Sequence, residues 1–391
     1  MLRRLQLEKL KNFPTPYYLY DLDLLRDTLS AINNEASRFN YHVHYALKAN
    51  TDQKVLEIIR DAGLGADCVS GNEVQMAIGQ KFHLDKIYYA GVGKTDEEIK
   101  TGLKYGIGCF NCESEQEIGV VNEIAAGMGK VAKVALRINP DVDSKTHSYI
   151  TTGIQENKFG IHVWELEKVL KLVNSLQNME LIGLHFHIGS QITKMDVFAN
   201  LCMRVNEINR WLEEKGFMLP VLNLGGGLGI DYEDPEGKSI PDFKVFFSTI
   251  NKHLKVRSYQ EVHFELGRAV VAQMGSLISK VLYIKNGETR NFAIVDAGMT
   301  ELIRPALYQS VHKIENLTKS LDIQQDLPSD HIYDVVGPVC ETSDFLGKGV
   351  ALPATERGDL IAVYSTGAYG QSMASNYNLR EKAGVVYTDD L

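Results

Sequence analysis

Lys48 lies in the run Tyr45-Ala46-Leu47-Lys48-Ala49-Asn50, where it closes an alternating strand-like stretch, and its setting suits covalent chemistry. The alternation over 42–47 predicts a strand with Val43, Tyr45 and Leu47 on one face and His44, Ala46 and Lys48 on the other. A lysine at a strand end among small and apolar neighbours is expected to be poorly solvated. Desolvation lowers an amine's pKa, and a neutral amine condenses with an aldehyde to a Schiff base. The plain alternative is a strand-end lysine reaching water. Further along, Gly225-Gly226-Gly227 follows another predicted strand. Glycines let backbone N–H groups approach an anion, most often a phosphate. The run is not a G-x-G-x-x-G, and a tight turn would use the same residues.

His185-Phe186-His187 puts two imidazoles on one strand face, as a metal pair, as a stacking platform for a planar cofactor, or as satisfied core histidines. No carboxylate set accompanies them, so stacking is favoured and no metal is expected. Ser190, three residues on, adds a hydroxyl suited to phosphate. Glu265, also at a predicted strand end, needs a cationic partner if buried. A pyridinium nitrogen would serve; so would Arg137 or Arg268. An aldehyde-reactive lysine, a phosphate cradle, a stacking imidazole and a carboxylate for a ring nitrogen are together the demands of pyridoxal 5'-phosphate.

The elements that must position these groups recur along the chain. β-rich runs fall at 43–47, 65–69, 87–90, 108–111, 134–139, 182–187, 221–225 and 262–265, separated by amphipathic stretches such as 54–62, 71–78, 114–126 and 164–176. Strand alternating with helix eight times predicts a (β/α)8 TIM-like barrel; a doubly wound open sheet is the alternative. Several strands carry an apolar face and a face that turns polar towards the C-terminal end, where a barrel places its active site. Beyond about residue 268 the texture changes to β-rich runs at 273–284, 291–296, 332–336 and 360–364. A C-terminal all-β domain, Greek-key barrel or sandwich-like, is expected there, and the strand-like 17–20 is expected to join it. The expected division is a cofactor-binding barrel over 23–265 and a β-rich domain from 1–22 and 266–391.

Composition narrows the class. With 391 residues, 44% of them hydrophobic, the chain can bury two sizeable cores. A net charge of −9 disfavours nucleic acid or an anionic membrane as main partner. No apolar run of about 18 residues occurs, and residues 1–13 lack a secretory apolar core. Five thinly spread cysteines suit reduced thiols and a cytoplasmic setting. Cys109 and Cys112 form a lone C-x-x-C with no second pair, so chance spacing is the favoured reading.

Motifs along nearly the whole chain extend this reading: Thr15-Pro16-Tyr17-Tyr18-Leu19-Tyr20-Asp21, the Lys48 run, 153–160, His187-Ile188-Gly189-Ser190-Gln191, the triple glycine, and 265–268. Arg304-Pro305-Ala306-Leu307-Tyr308, Gly337-Pro338-Val339-Cys340-Glu341 and Gly367-Ala368-Tyr369-Gly370 continue it. With these the chain resembles the fold-type III decarboxylases dependent on pyridoxal phosphate. It departs at Leu266, where the family usually has proline; that loosens the strand exit and removes no reacting group. The resemblance implies Lys48 as Schiff-base lysine, His187 stacked on the ring and Glu265 on the pyridine nitrogen. It implies phosphate held by Ser190, Gly225, Gly226, Gly227 and the backbone near Gly267 and Arg268, with Tyr369 reaching phosphate or substrate. Cys340 would donate the proton after decarboxylation, and Arg268, Arg304, Tyr308 and Glu341 would read the far end of the substrate. An arginine paired with an acid at that end favours meso-2,6-diaminopimelate, giving L-lysine and CO2. Carboxynorspermidine or a basic amino acid remains an alternative substrate. From other classes, a metal-dependent barrel hydrolase and a non-catalytic pyridoxal-phosphate carrier stay open. The family further implies a homodimer with shared active sites.

Overall fold

A computed structural model of the chain describes residues 7–140, 158–322 and 331–391. Of the motif at 153–160, residues 153–157 therefore lie outside the described residues, as do 1–6. The chain folds as two compact units. One comprises Leu29–Gly229 and Asp242–Gly267; the other comprises residues up to Thr28, Ile230–Pro241 and Arg268–Leu391.

Strand β1 (Tyr17–Tyr20) belongs to the second unit. The first unit carries β2 (Tyr41–Ala46), β3 (Gly65–Cys68), β4 (Ile87–Tyr89), β5 (Cys109–Cys112), β6 (Ala132–Asn139), the two-residue β7 (Ile161–His162), β8 (Met179–Phe186), β9 (Val221–Asn223) and β10 (Glu261–Leu266). Every pairing is parallel, in the order β5-β4-β3-β2-β10-β9-β8-β6, and β5 also pairs β6, so eight strands close a barrel. These eight coincide with the eight expected runs, and β7 adds onto β6. The open-sheet alternative is excluded by the β5–β6 closure.

Helices follow the strands because their starts are written locally. Asp52, Ser70 and Ser114 each accept a hydrogen bond from the backbone N–H three residues on, and Thr95 with Glu98 forms a reciprocal capping box. Each cap fixes where a loop ends, just beyond the C-terminal end of a barrel strand. Outside the barrel, Tyr41 and Phe264 pack on Phe247 of the helix Phe243–His253, at ring separations of 5.9 and 5.2 Å. Such pairs add about 0.5–1.5 kcal/mol each beyond area burial. Cys109 and Cys112 are buried on β5, and burial pushes both thiols up.

The second unit is built on one mixed sheet. Its strands are β11 (Gly275–Asn286), β12 (Asn291–Val295), β13 (Ile314–Asn316), β14 (His331–Val336), β15 (Phe345–Leu352), β16 (Leu360–Tyr364) and β17 (Gly384–Tyr387). Their order is β13-β16-β11-β12-β14-β15, with β1 pairing β11 and β17. Most pairs are antiparallel; β12–β14 and β1–β17 are parallel. The expected runs appear as β11, β12, β14 and β16. β13 and β17 are too short to signal themselves, and β15 carries Gly347, Lys348 and Gly349 in its middle.

Candidate active site

Lys48 does not sit in the strand. β2 ends at Ala46, and Leu47–Ala49 form a single 3-10 turn. Its side chain keeps 39% of its exposure, so the expected desolvation is not what sets it apart. What sets it apart is its neighbour: Nζ lies 3.8 Å from Oδ2 of Asp67, which is 1% exposed at the inner face of β3. Burial, reinforced by Glu265, pushes the Asp67 carboxyl up, and Lys48 opposes that. Both residues line a cavity of about 450 Å³ with Tyr89, Arg137, His187 and Glu265. A second lysine lines it too, but Lys94 Nζ already donates to Gly91 O, Asn111 O and Glu117 Oε1 at 2.8, 2.9 and 2.6 Å. With its donors so occupied, Lys94 is a structural ammonium rather than a reactive amine.

Glu265 is held by three side-chain donors. His185 Nε2 donates to Oε2 at 2.9 Å, while the Asn223 and Asn111 amides donate to Oε1 at 2.7 and 3.2 Å. Burial works to raise the carboxyl, but His185, His187 and Lys48 outweigh it and hold Glu265 well below the usual carboxylate range. It is thus an ionised carboxylate inside a barrel. The expected alternative partners fall away. Arg137 pairs with Glu113 at 2.7 Å, and Arg268 donates to the Tyr232 hydroxyl at 2.5 Å. His185 Nε2 thus orients Glu265. Asp67, Asn111, Glu113 and His185 were not given these roles from sequence; for Asp67, Asn111 and His185 the signal was a polar side chain on a buried stretch of barrel strand, whereas Glu113 lies just past β5.

His187 lies just past β8. The Gly226 N–H donates to its Nδ1 at 3.4 Å, which places the ring proton on Nε2. Burial first, then Lys48 and Arg137, hold its pKa well below the ordinary value, so the ring is neutral. The same loop explains the triple glycine. A Cβ on Gly225 would meet Phe186 O at 2.1 Å, and one on Gly226 would meet Glu265 O at 2.0 Å. Gly227 has φ +108°. The loop can therefore be built only from glycine, with its backbone beside His187 and the end of β10. Ser190 is half-buried on the neighbouring loop, and Gly267 follows β10 directly. Leu266, in place of the family's proline, continues β10 by pairing with Tyr45.

In the other unit a second polar cluster forms around two buried arginines. Arg304 Nη1 donates to the Tyr232 hydroxyl at 2.8 Å and to His312 Nε2 at 2.9 Å. His312 Nδ1 donates to Tyr364 O at 2.8 Å, so its Nε2 is an acceptor and the ring is neutral. Burial, then Arg304, holds His312 down to about 3. Arg268 shares the Tyr232 hydroxyl and lies 4.9 Å over the Tyr369 ring. Tyr369 itself has φ +59°, a left-handed conformation that a tyrosine rarely adopts. Tyr308 ends the short helix Arg304–Tyr308. Tyr232 and His312 were not singled out in sequence; nothing local distinguishes them. Cys340 and Glu341 lie exposed on the loop after β14. The Cys340 N–H donates to Asn378 Oδ1 at 3.2 Å, and the Tyr377 hydroxyl donates to Glu341 Oε1 at 2.7 Å.

A closed parallel barrel with a lysine, an ionised glutamate and a glycine cradle at the C-terminal ends of its strands defines a class. Residues 22–272 match the family model described as pyridoxal-dependent decarboxylase, pyridoxal binding domain, and the chain belongs to this family. It is 54% identical over 98% of both chains to diaminopimelate decarboxylase of Bacteroides thetaiotaomicron. It is 41% identical to that of Haemophilus influenzae, over 97% of this chain and 89% of the relative. Among solved structures it is similar to diaminopimelate decarboxylase from Helicobacter pylori complexed with L-lysine, with a TM-score of 0.90, 36% identity and coverage of 98% and 94% of the two chains.

Proposed function

We propose that this chain decarboxylates meso-2,6-diaminopimelate to L-lysine and CO2 with pyridoxal phosphate, the last step of lysine biosynthesis. The observation that carries this reading is Glu265, a buried carboxylate kept ionised by three donors at the strand ends that also present Lys48 and the glycine cradle. The residues fit the cofactor: a glycine loop packed against the ends of β8 and β10 lies beside the neutral His187 ring, and a buried anion stands ready for a ring cation. When bound, pyridoxal phosphate supplies an aldehyde for an amine and a ring that accepts the electron pair left by departing CO2.

The chain's own residues do the rest. Lys48 Nζ would be the amine that meets the cofactor's aldehyde. Glu265 keeps a proton on the pyridine nitrogen, and His187 presents a neutral ring to the cofactor's face. Ser190, Gly225, Gly226, Gly227, Gly267 and Arg268, with Tyr369, hold the phosphate. Arg268, Arg304 and Tyr308 take the distal carboxylate, and Glu341 the distal ammonium. Cys340 Sγ delivers the proton to the α-carbon. The support for Arg304 is its chemistry: a buried guanidinium bonded to a phenol and a neutral imidazole keeps its full charge for an anion. A homodimer in which Cys340 and Glu341 serve the partner's cofactor, in a cytoplasmic setting, completes the reading. Among the described residues no helix is long and apolar enough to cross a membrane. Release of CO2 from meso-diaminopimelate, measured against ornithine, arginine and lysine, tests the assignment. Faster release from any of the three would overturn the substrate, and no release from any would overturn the activity.

A further inference from the structure

The inward face of the barrel carries a second polar cluster at the opposite, N-terminal end of β2 and β10. These are the two strands whose pairing joins the first and last barrel strands, and His42 stands directly across from His263 in that pairing. His42 Nε2 lies 3.9 Å, and His263 Nε2 3.4 Å, from Oε2 of Glu261. One ligand atom from each of the three residues lies within 4.8 Å of the others. For metal–ligand bonds of about 2.0–2.1 Å, tetrahedral geometry puts neighbouring ligand atoms about 3.4 Å apart, against 3.4 and 3.9 Å for the two imidazole–carboxylate pairs here.

Hydrogen-bond direction says what this gap needs. His44 Nδ1 is 3.0 Å from Lys86 O, a carbonyl that can only accept, so Nδ1 carries the proton. The His44 Nε2 lone pair then accepts from His263 Nδ1 at 2.8 Å. That leaves His263 Nε2 with a lone pair aimed at a carboxylate oxygen. The chain is held tightly: a Cβ on Gly65 would lie 2.3 Å from His44 Nδ1 and 2.7 Å from Lys86 O, and Tyr88 packs tilted against His44 at 4.3 Å and stacks on His263 at 5.4 Å. His263 Nε2 and Glu261 are thus two acceptors facing each other, and they need a proton, a water donating to both, or a metal cation between them. A proton would satisfy His263 and Glu261 alone. It would leave His42 Nε2, buried and without a hydrogen-bond partner, unexplained. A metal ion takes all three.

We propose that His42, Glu261 and His263 form a site for a divalent transition metal of the zinc class at the N-terminal mouth of the barrel, stapling its first strand to its last. Two imidazoles and one carboxylate are borderline ligands that select zinc and its neighbours over magnesium or calcium. The His263 Nδ1–H to His44 bond is the outer hydrogen bond that orients a metal-bound imidazole. The site opens into a cavity of about 310 Å³ lined also by Tyr41, Asp85 and Lys86, which gives an ion a way in.

The test is zinc binding by the full chain with pyridoxal phosphate present, measured by competition with a chromophoric chelator. Wild type is compared with H42A and E261Q, whose replaced side chains are 38% and 57% exposed and so leave the core intact. Circular dichroism and unchanged turnover verify that both variants fold. Exposed Cys340 is common to all three proteins, so only the difference between them reports on this site. Wild type is expected to bind one equivalent per chain at least about ten-fold more tightly than either variant. Thermal unfolding should rise with zinc in wild type alone. Equal zinc affinity in the three proteins, or no uptake by wild type, as when a shared proton fills the gap, overturns the proposal.

Discussion

The two polar clusters treat a buried charge in opposite ways. In the barrel unit the charge is negative. Glu265 is met by an imidazole N–H and two amide N–H groups, each borne on a different barrel strand. In the other unit the charge is positive. Arg304 is met by a phenol and a neutral imidazole, groups that orient it without cancelling it. A carboxylate with three donors is complete in itself and rigid, as a group must be if it is to hold one proton at one place. A guanidinium left with its charge is complete only when an anion arrives. On the proposed function the difference would separate a fixed chemical apparatus from a recognition site, and it can be broken at either end.

The largest effect is expected from removing the amine. Lys48→Ala should lower turnover by about three orders of magnitude or more. Borohydride reduction in the presence of pyridoxal phosphate should label wild type at Lys48 and leave the variant unlabelled, although Lys94 lines the same cavity. Mass spectrometry locating the label on Lys94 or elsewhere would refute the assignment.

Next in size is the recognition side. Losing a charge-assisted arginine contact costs a few kcal/mol, so Arg304→Ala should cut diaminopimelate turnover by roughly two orders of magnitude. The Lys48 label should form as in wild type, because the barrel cluster does not depend on Arg304. Kinetics that do not change would place the distal carboxylate on other residues.

How much of this was legible beforehand differs between the clusters for a physical reason. Barrel strands announce themselves by apolar alternation, and an inward polar residue such as Glu265 or His187 stands out against it. The triple glycine was read as a place for an anion or a tight turn; what forbids a side chain at Gly225 and Gly226 is the chain's own carbonyls, Phe186 O and Glu265 O, which no local pattern announces. The partners that define these groups were not. Asn111 is 154 residues from Glu265 and Glu113 is 24 from Arg137, and no short-range pattern joins them. The same holds for Tyr232 and His312, which meet Arg304 only through tertiary folding. Lys48 was singled out for a strand-end desolvation that its half-exposed side chain does not show; what distinguishes it is the buried Asp67.

A smaller effect tests whether one site draws on two chains. Lys48→Ala and Cys340→Ala proteins should each be nearly inactive. In a two-fold dimer with shared sites, a mixed dimer has one site with both substitutions and one with neither. Equal amounts re-assorted at random make about half the dimers mixed, so activity should return to roughly a quarter of wild type. Co-expression followed by the CO2 assay reads this. No recovery despite demonstrated subunit exchange would show each site to be built within one chain.

The smallest effect is on stability, and it isolates the arginine cluster. Burial and the Arg304 charge hold His312 at about 3, against 6.5 ordinarily. Between those values the unfolded chain binds a proton that the folded chain refuses. Stability from this histidine is therefore complete above about pH 6.5, falls as pH drops, and is gone near pH 3. The whole window corresponds to at most about 5 kcal/mol, and the part between pH 6.5 and 5 to at most about 2 kcal/mol. Glu265, whose pKa is also depressed, loses its contribution only below its ordinary carboxylate value of 4.5, so the two clusters separate on the pH axis. His44, His187 and His263 shift in the same direction as His312, which makes the comparison with a variant necessary. His312→Gln keeps an amide able to accept from Arg304 but cannot titrate. Urea unfolding at pH 7 and pH 5 should show wild type losing more stability than this variant over that interval. An equal loss in both proteins would mean that His312 is protonated freely in the folded state. Arg304 would then face a second cation rather than the neutral acceptor that keeps its charge for a substrate.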